Sequence, residues 1–204
     1  MGEAASEMTL EGLTGSAARR GHFLLESGHH GDLWLDLELL CLHPRQVERC
    51  AASLAEQLRR LAVEAVCGPL NEGTFVALLV ASRLDVEFSY AERFERPGSD
   101  ELFPVEYRLP GSLRASVRGR RVAIVNDVIN AGSAVRGTHA DLLACGAEPV
   151  ALASLLVLGE SAARFAREKT IPLISLGHYP TRIWTPEECP LCAVGATLDR
   201  PCEP

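Results

Sequence analysis

The chain has 204 residues, a formal net charge of −7, 47% apolar residues and only 5% aromatic residues. This length suits one well-buried domain, and no apolar run is long enough to predict a membrane-spanning helix. The negative charge argues against nucleic acid as a partner and favours a small molecule.

Cysteine and lysine usage give two further constraints. The seven cysteines are an odd number and several lie in apolar stretches, which favours a reducing compartment over a disulfide framework. Residues 1–20 have neither the apolar core nor the cleavage site of a secretion signal, so we expect a cytoplasmic protein. Lys169 is the only lysine, so we expect any side-chain contact to phosphate to come from arginine.

The first half of the chain predicts strands and helices in alternation. Residues 21–40 read as strand, turn and strand, because leucines alternate with polar residues from Leu33 to Leu39. A helix begins at Pro44, with Val47, Cys50, Leu54 and Leu58 on one face. A strand at 65–67, a loop at 68–73, a helix at 74–84 and a strand at 86–91 follow. Residues 103–109 read as an edge strand or a mobile flap.

The second half continues the alternation. An apolar strand at 122–125 leads into a helix at about 133–145, a strand at 149–157, a helix at 160–169 and a strand at 172–176. Helices between strands are typical of crossover connections, so the fold class is α/β with a doubly wound, mostly parallel sheet.

The end of the 122–125 strand carries the strongest candidate site. Asp127 follows the strand, Gly132 allows close approach of a ligand to the backbone, and Ser133 can cap the next helix. Free N–H groups at a helix N-terminus favour an anion, so this segment predicts a phosphate site. The alternative is an ordinary capped turn in which Asp127 is only a turn carboxylate.

Cys189 and Cys192 are spaced as in one half of a zinc knuckle. Cys202 and His178 are candidate third and fourth ligands. A redox disulfide and a turn with free thiols remain as alternatives.

The segment from Asn126 to Ala134 resembles the phosphoribosyl pyrophosphate signature of the type I phosphoribosyltransferases, in which two acidic residues precede a loop rich in Thr and Gly. Asn126 stands at the first acid and Ser133 at a threonine. The resemblance implies catalytic roles for Asp127 and Asn126. It implies phosphate binding by the loop residues Asn130, Ala131, Gly132, Ser133 and Ala134.

The order of segments over residues 20–177 is similar to the orotate branch of that family. Phe23-Leu-Leu-Glu-Ser-Gly-His-His30 resembles the branch's N-terminal hood, and 68–73 matches its pyrophosphate loop, with Gly68, Asn71, Glu72 and Gly73 as the expected contacts. We therefore expect a single domain over 1–204, with a hood at about 1–43, a core at about 44–177 and a cysteine-containing C-terminal tail at 178–204.

The departures from this branch fall on charged positions. His30 stands where the branch has a substrate-binding lysine, and Glu92-Arg93 stands for an Arg-Lys pair, leaving His30 and Arg93 as the implied substrate contacts. Arg93 could instead pair with Glu92 or Glu95. The loop from Arg96 lacks the lysine and the His-Gly pair of the branch. Leu158, Gly159 or Glu160 stands where the branch has its orotate-binding arginine.

The resemblance implies a glycosyltransferase that moves a phosphoribosyl group from phosphoribosyl pyrophosphate to orotate or a related base, in nucleotide synthesis or salvage. It also implies Mg²⁺ as cofactor, a homodimer, and no nucleic acid or membrane partner. The missing lysines motivate an alternative, a non-catalytic homologue that binds a nucleotide or phosphoribosyl ligand. A weaker third reading treats the Cys189 to Cys192 tail as a zinc element that docks another protein.

Overall fold

The computed structural model describes residues 18–36, 38–95, 102 and 105–201. Most of the N-terminal segment that we examined for a leader, most of the loop beginning at Arg96, and the candidate ligand Cys202 lie outside these residues. None of the helices in the described ranges is both long and apolar enough to cross a membrane.

The described elements alternate along the chain as the sequence predicts. The strands are β1 (Ala18–Leu24), β2 (His30–Leu35), β3 (Ala65–Pro69), β4 (Glu87–Glu95), β5 (Val105–Arg108), β6 (Arg121–Ile129), β7 (Glu148–Leu158), β8 (Leu173–Tyr179) and β9 (Ile183–Trp184). The helices are α1 (Glu38–Cys41), α2 (Pro44–Leu58), α3 (Glu72–Leu84), α4 (Ser133–Ala144), α5 (Ser161–Lys169) and α6 (Pro190–Ala193), with short 3-10 turns at Arg59–Leu61 and Pro186–Glu188.

A six-stranded sheet in the order β5-β4-β3-β6-β7-β8 forms the centre of the fold. All neighbouring pairs are parallel except β4 and β5, which confirms the α/β class with a mostly parallel sheet. The edge strand predicted within 103–109 is β5.

The core lies on both faces of this sheet. Along β6, Val122 and Ile124 pack with α4 and α5, whereas Ala123 and Val125 pack with α2 and α3. Successive side chains of a strand point to opposite faces, so a strand covered on both sides must be apolar at every position. This requirement explains the continuous apolar run that the sequence shows there.

A small antiparallel sheet in the order β1-β2-β9 combines the two strands of the hood, β1 and β2, with β9 of the C-terminal segment. Leu33 and Leu35 of β2 are buried against Val128 of β6 and against Leu156 and Leu158 of β7. The hood therefore covers the carboxyl ends of the parallel strands, where ligands of open α/β sheets bind.

The helix predicted from about residue 74 to 84 is confirmed as α3, which begins at Glu72. Two other local predictions were wrong. The leucine alternation does not continue as a strand, because β2 ends at Leu35 and Leu39 lies in α1. Ser133 does not cap α4: Gly132 is the N-cap, with φ +93°, and Ser133 is the first helical residue.

Candidate active site

A cleft of about 430 Å³ opens between the hood and the carboxyl ends of the central strands. Its walls come from the turn after β1, from β2, from the loop after β3, from the end of β6 and from the start of α4. Segments far apart in sequence thus converge on one site, at the edge of the sheet that the sequence indicated.

The turn from β6 into α4 forms one wall. All five predicted phosphate residues line the cleft: Asn130, Ala131, Gly132, Ser133 and Ala134. The Arg136 amide bonds to the Gly132 carbonyl at 2.9 Å and closes the first helical turn. The first N–H groups of a helix have no partner within that helix, so those at the start of α4 can bind an anion. The buried Oδ1 atom of Asn130 accepts no hydrogen bond from the described residues.

Asp127 and Asn126 lie within β6, which continues beyond them to Ile129. Asp127 is only 6% exposed, yet it lines the cleft. Asn126 also lines the cleft, but its Nδ2 donates to the Val128 carbonyl at 2.7 Å. Its Oδ1 lies against Gly73, where an added Cβ would come within 1.9 Å of it. Asn126 therefore holds the turn together as well as facing the cleft.

Asn71, the N-cap of α3, and Glu72 and Gly73, the first two residues of that helix, line the cleft. The peptide bond before Asn71 is cis. Gly68 is a correction: it lies within β3 and is not among the residues that line the cleft. A Cβ at Gly68 would come within 2.5 Å of the Ala77 Cβ, so this glycine lets α3 pack closely on β3.

Arg93 lines the cleft and pairs with Glu26, whose Oε2 is 2.9 Å from the Arg93 Nε. The Tyr107 hydroxyl donates to both carboxylate oxygens of Glu26 at 3.1 Å. Burial, and next the Glu26 carboxylate, raise the pKa of Tyr107, so the phenol stays protonated and remains a donor. Sequence reasoning named neither Glu26 nor Tyr107 as a site residue, although Glu26 lies inside the hood segment that carried the resemblance.

His30 is a second correction, because it is not among the described residues that line the cleft. It is 5% exposed, and its Nδ1 lies 3.2 Å from the Cys192 Sγ and 3.0 Å from the His22 Nε2. Burial, and next the neighbouring His22, lower the pKa of His30, so the ring does not replace the missing lysine charge.

Cys189 and Cys192 lie beside histidines of the hood and not beside His178, the candidate ligand named from the sequence. Cys189 lies 3.4 Å from the Nε2 atom of His22, and Cys192 adjoins His30. His178, expected as a ligand, is exposed and bonds instead to the Gly159 carbonyl at 2.9 Å. It is not part of the group that the cysteines form.

Comparison with known proteins agrees with the geometry of the cleft. The orotate phosphoribosyltransferase of Caldanaerobacter subterraneus subsp. tengcongensis is 28% identical over 182 residues, covering 89% of this chain and 88% of the relative. That of a Nitratiruptor species is 30% identical over 201 residues, covering 91% of this chain and 92% of the relative. The crystal structure of orotate phosphoribosyltransferase from Aeropyrum pernix matches with a TM-score of 0.60 at 25% identity, over 79% of this chain and 88% of that chain. A family model for the phosphoribosyl transferase domain matches residues 42–173, well over half of the chain, and the protein belongs to this family.

Proposed function

We propose that this phosphoribosyl transferase takes orotate as its base, and forms the nucleotide by displacing pyrophosphate from C1 of phosphoribosyl pyrophosphate. The observation that carries the proposal is the convergence on one cleft of Asp127, the turn into α4 at residues 130–134, and the start of α3 at residues 71–73. The names of the relatives support orotate as the base.

Asp127 is the proposed catalytic carboxylate. Displacement at C1 of a ribose develops positive charge on the ring, and a fixed carboxylate in a cleft stabilises that charge more than it stabilises the substrate. Asp127 is 6% exposed and held within β6, so it needs little reorganisation to act. Its oxygens also suit the ribose hydroxyls, which donate hydrogen bonds.

The turn into α4 is the proposed site for the 5′-phosphate. Backbone N–H groups at the start of α4 supply the donors, and the positive end of the helix dipole favours the anion. The buried Oδ1 of Asn130 can accept a hydrogen bond from a ribose hydroxyl beside that phosphate.

The charge of the cleft favours a divalent cation with the pyrophosphate. Glu26, Glu72 and Asp127 line the cleft, whereas Arg93 is the one cationic side chain among its described lining residues. A polyanion beside three carboxylates is repelled unless a cation lies between them. Mg²⁺ prefers oxygen ligands and substrate phosphates, so Asp127 and Glu72 fit it, and when bound it would neutralise charge on the leaving pyrophosphate.

The base is proposed to lie toward Arg93 and the hood. A guanidinium has five N–H donors, so Arg93 can keep its pair with Glu26 and still bind the carboxylate of orotate. Tyr107 also donates to the Glu26 carboxylate and thereby helps to orient Arg93. Arg93 takes over the role that the resemblance assigned to lysines absent from this chain.

The setting of the reaction is part of the same proposal. We place the protein in pyrimidine nucleotide synthesis in the cytoplasm, where buried free thiols such as Cys50 and Cys67 persist. We propose a homodimer, because enzymes that this chain resembles bring a loop of one subunit to the site of its neighbour.

A steady-state assay tests the proposal. The full-length protein is mixed with phosphoribosyl pyrophosphate, Mg²⁺ and one base at a time (orotate, uracil, adenine, guanine, hypoxanthine or xanthine), and pyrophosphate release is followed. We expect turnover with orotate, and we expect Asp127→Asn to lower kcat by at least about 100-fold, since loss of one electrostatic stabiliser typically has that effect.

Asp85→Asn is the matched control. It makes the same isosteric change at the exposed C-cap of α3, where the left-handed backbone suits asparagine, and should leave kcat unchanged. Calorimetric binding of phosphoribosyl pyrophosphate without turnover on any base would contradict the proposal and support the non-catalytic alternative. Turnover with a purine but not orotate would refute the choice of base alone.

A further inference from the structure

Two histidines of the hood and two cysteines of the C-terminal segment form a compact group, which we name the His2Cys2 cluster. His22 belongs to β1 and His30 to β2, Cys189 precedes α6, and Cys192 lies within α6. One ring nitrogen or sulfur from each residue lies within 4.8 Å of all the others. This cluster is not part of the cleft lining described above.

Four of the six spacings among these ligand atoms are close to the edges of a metal-centred tetrahedron, and the other two are within 4.8 Å. Bond lengths of about 2.3 Å to sulfur and about 2.05 Å to nitrogen give edges of roughly 3.6 Å from S to N and roughly 3.3 Å from N to N. The His22 Nε2 lies 3.4 Å from the Cys189 Sγ and 3.7 Å from the Cys192 Sγ. The His30 Nδ1 lies 3.2 Å from the Cys192 Sγ and 3.0 Å from the His22 Nε2.

The surroundings of His22 orient its ring for coordination. The His22 Nδ1 lies 3.0 Å from the Ala196 carbonyl oxygen, which accepts a hydrogen bond from the ring only in the tautomer that carries the proton on Nδ1. The Nε2 lone pair then points toward the cysteines. A backbone partner on the second ring nitrogen is the usual arrangement for a histidine that binds a metal.

The backbone around the cysteines forms a tight turn that presents both sulfurs to one side. The Ala193 amide bonds to the Cys189 carbonyl at 3.3 Å, and the Gly195 amide bonds to the Cys192 carbonyl at 2.9 Å. Gly195 has φ +70°, a value that glycine adopts at little cost. A Cys-x-x-Cys turn of this kind supplies two of the four ligands in many structural zinc sites.

A disulfide accounts for these residues less well. Cys189 and Cys192 are free thiols in the structure, and a bond between them would leave two buried imidazoles facing it without a role. A metal ion uses all four groups at once. Two thiolates also balance the charge of a divalent cation, so the site is neutral overall.

We propose that His22, His30, Cys189 and Cys192 bind one Zn²⁺ in a closed, structural site. A tetrahedral set of two sulfurs and two nitrogens suits zinc, and four protein ligands leave no position open for a substrate. The ion joins the hood to the C-terminal segment. The two also meet through the pairing of β2 with β9, through the contact of His22 with Ala196, and through backbone hydrogen bonds from Leu24 to Asp199 and from Asp199 to His22, both 2.8 Å.

This brace bears on the cleft without taking part in the reaction. Leu25 and Glu26 lie three and four residues after His22, and both line the cleft. Pro201, which follows the two cysteines in the chain, lines it as well. The zinc site therefore holds one wall of the cleft in position. The inference rests on the cluster alone and does not depend on which base the protein uses.

Metal analysis of the full-length protein tests the site directly. The protein is purified without a metal-affinity tag, supplied with one equivalent of Zn²⁺ under reducing conditions, and dialysed before elemental analysis. We expect about one zinc per chain. We expect Cys189→Ser and His22→Ala each to retain less than about a tenth of an equivalent, because each removes one ligand of four. His178→Ala, the same change at an exposed histidine outside the cluster, should retain the full amount.

Cobalt and alkylation keep the test valid if a variant folds poorly. The wild-type protein, freed of metal and titrated with Co²⁺, should show the absorption of a tetrahedral ion with thiolate charge transfer. Zinc should protect Cys189 and Cys192 from iodoacetamide in the wild type. Less than about a tenth of an equivalent of zinc in the wild-type protein would overturn the inference, as would full zinc binding by His22→Ala or unchanged alkylation with zinc present.

Discussion

At the scale of single residues, the surroundings of Asn126 explain why an asparagine stands beside Asp127, the proposed catalytic carboxylate. Its side chain is 7% exposed, donates to the Val128 carbonyl at 2.7 Å, and fits against Gly73. An ionised carboxylate at this position has no proton to donate and would face the Val128 oxygen. The amide at position 126 is therefore favoured by the local hydrogen bonding and packing.

Asn126→Asp, which restores the acid of the resembled signature, should consequently destabilise the protein. We expect the free energy of unfolding at pH 8 to fall by about 1–3 kcal/mol, the usual effect of a buried polar group left unsatisfied. The deficit should shrink toward acidic pH, because a protonated carboxyl group can donate to Val128 again. Urea denaturation of the variant and the wild type at several pH values measures both effects.

Gln46→Glu provides the control for that substitution. It makes the same change of amide to acid on the exposed first turn of α2, where the effect should stay within about 0.5 kcal/mol. An Asn126→Asp protein as stable at pH 8 as the wild type would show that the contact with Val128 contributes nothing.

At the scale of elements, the approach of α4 to β5 fixes the position of Tyr107. Gly137 lies in α4, and a Cβ added there would come within 3.0 Å of the Tyr107 Cβ and 3.1 Å of its backbone nitrogen. Since the backbone atom cannot rotate away, the helix can lie this close to β5 only with a glycine at the contact. Tyr107 in turn bonds to Glu26 in the cleft.

Gly137→Ala has two opposite effects on stability, because alanine favours the helix but its Cβ crowds Tyr107. In an open helix, alanine in place of glycine is worth about 1 kcal/mol of added stability. Here we expect a net loss of about 1–3 kcal/mol, because overpacking must push α4 from β5. The KM for orotate, the proposed base, should rise as well, because Tyr107 moves with β5 and disturbs the Glu26 carboxylate to which it donates. Thermal unfolding and steady-state kinetics give the two readouts.

Gly111→Ala is the matched change, because an added Cβ there meets no atom within 4 Å. It should leave both stability and KM near the wild-type values. A more stable Gly137→Ala protein would mean that α4 and β5 tolerate the extra atom.

The same elements show what the sequence could and could not predict. The apolar run of β6 and the small-residue turn after it are local signals, and they located Asp127 and the 130–134 loop at the cleft. Glu26 and Tyr107 are 81 residues apart, and His22 and Cys189 are 167 apart, so only the packed fold brings either pair together. Gly68 carried the right sequence pattern, but its role is packing against α3, which no local pattern reveals.

At the scale of the whole molecule, buried thiols on both faces of the central sheet make the free energy of unfolding depend on pH. Cys50 of α2 and Cys67 of β3 lie in different apolar clusters, and both are 0% exposed. Burial raises the pKa of Cys50 to about 11 and that of Cys67 to about 12, from an ordinary value of 9.0. Each thiol therefore stays protonated in the fold over a pH range in which an exposed thiol ionises.

Stability should therefore fall as pH rises above 9. Between the ordinary thiol pKa of 9.0 and about 12, the unfolded chain releases the Cys67 proton while the folded chain keeps it. The unfolded state then binds fewer protons and is favoured by up to about 1.4 kcal/mol per pH unit for each such group. Below pH 9 both states hold the proton, and the stabilising effect of the neutral thiol is fully present.

Urea denaturation at pH 8, 9, 10 and 11, in the presence of a reductant, tests this prediction. The informative quantity is the slope of the free energy of unfolding against pH. Cys67→Ala should flatten the loss of stability above pH 9, whereas Val66→Ala, its buried neighbour on β3, should lower stability equally at every pH. The cavity left by either substitution binds no proton, so it lowers the free energy of unfolding by the same amount at every pH and does not change the slope. Identical slopes for Cys67→Ala and the wild type would mean that the Cys67 thiol ionises as readily in the fold as in the unfolded chain.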